Sequence, residues 1–126
     1  MSELLLLTNN PQTAQQAAKA GWPNKLLAES PLQLLQQAQL LLCQGWCLAA
    51  DPLAGYFSHH NPFQTIFLQK TTETPPADQL CLTRAISRWL GYQQTPAEQM
   101  PTVYQSYQIL DSTLAAATMQ QLTQSS

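Results

Sequence analysis

Charge is scarce in this sequence. Five basic and seven acidic residues leave only 10% of the 126-residue chain charged, where about a quarter is usual. The five cations, Lys19, Lys25, Lys70, Arg84 and Arg88, are scattered and form no basic stripe. Nucleic-acid binding takes its strength from neutralising several phosphates, so no nucleic-acid partner is expected. Glycine is nearly as rare. Its four residues stand far apart, which excludes the clustered glycines of phosphate-binding loops. The apolar run near the amino terminus is only Leu4 to Leu7, with Glu3 where a signal peptide would carry a base. No stretch approaches the roughly 20 apolar residues of a membrane span. A soluble cytoplasmic protein without a membrane partner is the expectation.

Cysteine and histidine are also too few for the sites they usually build. Cys43, Cys47 and Cys81 are an odd number without CxxC spacing, which excludes a disulfide framework and points to buried, reduced thiols. Cys43 and Cys47 would lie beside Leu42 and Leu48, and no neighbouring cation lowers their pKa for redox work. The two histidines, His59 and His60, are adjacent. On regular elements a metal takes pairs spaced two to four apart, so no metal and no cofactor is expected.

What remains is a globular composition. Hydrophobic residues make up 44% of the chain, and 19 glutamines supply polarity without charge. Glutamine is a good helix former that needs no partner at a surface, and it is spread through segments with helical periodicity. The length suits one domain over residues 1–126, with a frayed tail at 122–126.

Leu4 to Leu7 reads as a strand covered on both faces. Asn10-Pro11 is an N-cap followed by proline at the first helical position, and that helix should stop near Ala20-Gly21. Lys25 to Ala28 is a weak second strand. Ser30-Pro31 opens a helix carrying Leu34, Leu35, Ala38, Leu41 and Leu42 at helical spacing, ended by Gly45. Trp46 to Ala50 and Thr65 to Leu68 read as the third and fourth strands. After the Thr74-Pro75-Pro76 break, a helix carries Leu82, Ala85, Ile86, Trp89 and Leu90 on one face. A last helix carries the stripe Val103, Tyr107, Leu110, Leu114 and Ala117. Strands alternating with helices predict an α/β fold. The sheet should be small and mainly parallel, of about four strands, in a Rossmann-like three-layer arrangement.

In open α/β sheets, ligands bind beyond the carboxyl ends of the strands. Two segments fall there. Thr8, Asn9 and Asn10 offer amides at a helix amino terminus, suited to an anion; the same residues also serve as an ordinary cap. Asp51, Gly55, Ser58, His59 and Asn61 lie in a long connection of the kind that often carries function. A carboxylate with a histidine would serve as an acid/base pair, but no nucleophile motif such as GxSxG accompanies them.

The stretch from Leu34 to Leu68, with Gly45, Pro52, Leu53, Gly55, Asn61, Pro62 and Phe63 in order, resembles the GrdX family. So does the opening Thr8-Asn9-Asn10-Pro11. That family consists of small proteins encoded beside glycine, sarcosine and betaine reductase components. The resemblance implies an accessory role near a selenium-dependent amino-acid reductase, with a protein partner in that complex, and implies no activity. Two departures stand out: Asp51 replaces a histidine of the family pattern, and Tyr56-Phe57-Ser58-His59 replaces a run containing lysine. Three readings follow. The first is a non-enzymatic protein binding a small anionic or amino-acid-like ligand. The second is a small enzyme using Asp51 and a histidine on an amino-acid or acyl substrate. The third is an interaction subunit docking near Tyr104 and Tyr107.

Overall fold

The computed structural model describes residues 3–50, 62–90 and 101–125. Its elements run β1 (Leu4–Thr8), α1 (Pro11–Lys19), β2 (Asn24–Leu26), α2 (Pro31–Leu42), β3 (Trp46–Leu48), β4 (Thr65–Lys70), α3 (Pro76–Leu90) and α4 (Pro101–Ser125). Both foreseen helix starts are capped. Asn10 accepts from the Gln12 backbone N–H, and Ser30 and Gln33 form a reciprocal capping box, which satisfies donors the first helical turn cannot. Gly21 and Gly45 follow the ends of α1 and α2 with φ of 77° and 93°, the left-handed conformation that lets a chain leave a helix.

The strands form one sheet in the order β2-β1-β4-β3. β1 and β2 are parallel, whereas β4 is antiparallel to both β1 and β3. The α/β class and the four strands stand. The sheet is mixed, however, and the mainly parallel, Rossmann-like arrangement is not what the chain forms. The reason is local: Thr65-Ile66-Phe67-Leu68 carries β propensity but nothing in it encodes strand direction. The 3-residue strands β2 and β3 are the edges, and short edges limit unwanted pairing.

Side chains alternate across the sheet, and two apolar clusters result. On one face Leu7, Ile66 and Leu68 pack against Leu34, Leu35, Ala38 and Leu42 of α2 and Leu82, Ala85 and Trp89 of α3. On the other, Leu6 and Phe67 pack with Ala17, Trp22, Ala115 and Met119, which brings α1 and α4 to that face. The β3 edge is held by two further contacts: Lys70 lies 4.8 Å from the Trp46 ring, and the Leu48 N–H donates to Asp78 at 2.8 Å.

Three expectations need correction. The inward face of α4 is Asp111, Ser112, Ala115 and Met119, while Leu114 and Ala117 are exposed. Part of that face is polar, so an apolar stripe points to the wrong side. Leu90 is 66% exposed at the end of α3, one step beyond the buried Trp89. Cys47 is buried as expected, but Cys43 is exposed at the end of α2. No helix among the described residues is long and apolar enough to cross a membrane.

Candidate functional site

The edge of the sheet where β1 ends and β4 begins gathers the polar residues of the molecule's interior. Antiparallel pairing sets Thr8 directly opposite Thr65, and the hydroxyls meet at 2.9 Å. Both follow the period that places Leu6 and Phe67 toward α1 and α4, so they face α4. From α4, Asp111 closes the cluster. It accepts from the Thr13 hydroxyl at 2.7 Å, from Asn10 Nδ2 at 3.0 Å and from the Thr65 hydroxyl at 2.9 Å, all on Oδ2.

Proton bookkeeping orients the network. The carboxylate only accepts, and each hydroxyl has one proton to give. Thr65 gives its proton to Asp111, so Thr8 donates to Thr65. The Thr8 oxygen in turn accepts the Asn10 backbone N–H at 3.0 Å. The result is a directed chain, Asn10 to Thr8 to Thr65 to Asp111. Thr8, Asn10 and Thr13 have no exposed surface, so water cannot take the place of their partners, while Thr65 and Asp111 are partly exposed.

The two oxygens of Asp111 are used unequally. Among the described residues Oδ2 receives three donors, while Oδ1 receives only the second arm of the shared Thr65 hydroxyl, at 3.1 Å. A carboxylate has about four acceptor positions, so Oδ1 keeps accepting capacity, and Asp111 is partly exposed. At the N-terminus of α1, then, the chain has already set a carboxylate of its own beside the positive end of the helix dipole.

Asn9 builds the neighbouring part of the edge. Its Nδ2 donates to the carbonyls of Glu29 and Pro62, each at 2.8 Å. Its Oδ1 accepts the Gln64 N–H at 2.9 Å, and its own N–H donates to the Gln64 carbonyl at 3.3 Å. One side chain thus ties the ends of β1 and β2 to the approach of β4. Close by, Glu29 Oε2 is buried without a hydrogen-bond partner among the described residues.

Of the residues foreseen from the sequence, Thr8, Asn9 and Asn10 are brought together here. Asp51, Gly55, Ser58, His59 and Asn61 lie outside the described residues. Their described flanks, Ala49 and Pro62, hydrogen-bond to Phe67 and Asn9 respectively. Thr13, Thr65 and Asp111 were missed. Thr13 and Thr65 look like ordinary helix and strand residues, and Asp111 lies 98 positions from Thr13. The one available signal was an acid in the middle of an otherwise uncharged helix of 25 residues.

The fold and this edge define a small mixed α/β domain whose interior carboxylate is caged by hydroxyl and amide donors at the end of a central strand. Residues 5–120 match the model of the GrdX-like protein family; the chain belongs to that family, as its Thr-Asn-Asn-Pro opening foretold. No curated protein and no solved structure is significantly similar to it.

Proposed function

We propose that this chain is a cytoplasmic, single-domain GrdX-like accessory protein that binds a small amino-acid-like ligand without transforming it, in association with glycine, sarcosine or betaine reductase components. The binding edge comprises Thr8, Asn9, Asn10, Thr65 and Asp111, and Asp51, Gly55, Ser58, His59 and Asn61 are the further candidates that the sequence offers. One observation carries the reading: the under-used Oδ1 of Asp111, anchored by an otherwise fully engaged carboxylate. A preorganised carboxylate with spare accepting capacity suits an ammonium group that brings N–H donors, and its charge attracts a fully methylated ammonium that brings none. It disfavours the anion that a bare helix N-terminus would attract. Asp51 and the histidines required by the enzymatic reading lie outside the described residues, and nothing described favours catalysis over binding.

The test is a thermal-shift panel of amino acids, betaines, acyl phosphates and nucleotides on the intact protein, with Asp51→Ala and Asp111→Asn alongside. A ligand at a hundred times its Kd adds about 2.7 kcal/mol, several degrees for a domain of this size. A rise with amino acids or betaines that Asp111→Asn abolishes is the expected result. A rise confined to acyl phosphates would replace the cationic ligand with an anionic one. Silence across the panel would favour a protein partner.

A further inference from the structure

The other end of α1 carries a second concavity, independent of the Asp111 cage. α1 and α4 run in the same direction: Gln108 and Asp111 meet Asn10 and Thr13, while Met119 packs with Ala17 and Trp22. Near the end of α1 the two helices border a groove of about 710 Å³, within the range of small-ligand sites. Its nearest lining residue on α1, Gln16, is three residues beyond Thr13 of the cage, about 4.5 Å along the helix axis at 1.5 Å per residue.

The lining states what would fit. Trp22 and Met119, both buried in the core beneath, form an apolar surface. The Trp22 ring is steadied edge-on by Phe67, with centroids 5.7 Å apart and planes at 86°. Met119 supplies an adaptable thioether suited to an aromatic ring. Lys19 brings a cation to the wall. Gln16, on the same wall, holds a buried Oε1 with no hydrogen-bond partner among the described residues. An amide oxygen buried without a donor is costly, and rotation about its last side-chain torsion is soft. Turned about that torsion to face the groove, the oxygen would accept an N–H from a ligand.

We propose that this groove is a binding site for a small planar aromatic carboxylate carrying an N–H: the ring on Trp22 and Met119, the acid on Lys19 and the N–H on Gln16 Oε1. Three features of one groove, apolar floor, cation and orphaned acceptor, call for those three parts of one molecule.

The experiment is calorimetric titration of the full chain with indole-3-acetate, with 1-naphthylacetate, which lacks the N–H, and with indole, which lacks the acid. The variants are Ala116→Phe and Lys19→Gln. Ala116 is exposed and lines the groove, so a phenyl group there fills the space without entering the core; an unchanged circular dichroism spectrum checks this. Indole-3-acetate should bind at one site per chain, about threefold more tightly than 1-naphthylacetate for the one hydrogen bond. Lys19→Gln should weaken it about two- to fivefold, as for an exposed ion pair, and should leave indole unaffected. Ala116→Phe should abolish binding of all three. Equal affinity for the two acids, binding that survives Ala116→Phe, or no binding at millimolar concentrations would each overturn the proposal. None of these readings depends on Asp111, so this site and the cage succeed or fail separately.

Discussion

Replacing Asp111 by alanine removes the acceptor of three side-chain donors, and the cost follows from which donors keep a partner. Asn10 Nδ2 retains the Gln108 carbonyl at 3.0 Å. Thr8 and Thr65 can still share one hydrogen bond, but one of their two protons is left without an acceptor. The Thr13 hydroxyl, on a residue with no exposed surface, loses the bond seen at 2.7 Å. Two stranded buried donors at about 1–3 kcal/mol each, reduced because Asp111 is itself partly exposed, give about 3 kcal/mol. Asp111→Asn behaves differently. Its side-chain oxygen can occupy the Oδ2 position and its amide nitrogen the outer one, so the cage stays satisfied while the charge disappears, costing about 1 kcal/mol. Urea unfolding of the three proteins reads the difference as a shift in midpoint at constant slope. If alanine costs no more than asparagine, or less than about 1 kcal/mol, Asp111 does not organise this interior and the directed network is wrong.

Four further outcomes follow. Asn9→Ala should cost about 2 kcal/mol through three lost side-chain hydrogen bonds and should speed hydrogen exchange at the Gln64 amide; unchanged exchange there would count against the clamp. Leu34→Ala, at a site with no exposure between α2 and the sheet, should cost about 3 kcal/mol in the same assay. Gly45→Ala should cost about 1–2 kcal/mol from backbone conformation, because φ is +93° while the nearest atom to an added Cβ is an ordinary 3.5 Å away. Burial, then the Asp78 charge, raises the Cys47 thiol above its ordinary value of 9.0. The unfolded chain therefore loses that proton first, so stability should decline as pH rises above about 9, and Cys47→Ala should flatten that decline in pH-dependent melting.

Local signals in this chain are readable wherever they depend on neighbours in sequence. Asn10-Pro11 and Ser30-Pro31 mark helix starts because caps are short-range chemistry, and Leu4 to Leu7 reveals a strand covered on both faces. Leu34, Leu35, Ala38 and Leu42 mark the buried side of α2 for the same reason. The antiparallel course of β4 is a global property, and no residue between Thr65 and Lys70 announces it. That reversal builds the site, because it sets the first residue of β4 opposite the last of β1. Thr8, Asn9 and Asn10 stand out in the sequence as polar residues just beyond the carboxyl end of an apolar strand. Asp111 does not, since its significance comes from partners 98 and 101 residues away. The same dependence misled the reading of α4. Its inward face mixes Asp111 and Ser112 with Ala115 and Met119 because it docks on a polar cage at one end and an apolar cluster at the other.

The central claim is that the Asp111 edge binds a small ligand bearing an ammonium or methylated ammonium group. The most direct measurement is a titration of the ¹⁵N-labelled protein with glycine and with betaine, followed through amide resonances. Saturable shifts at the Asn9, Asn10 and Gln64 amides and the Asn10 side-chain amide, absent in Asp111→Asn, are the predicted result. Resonances that stay still at millimolar ligand, or that move equally in Asp111→Asn, would contradict it.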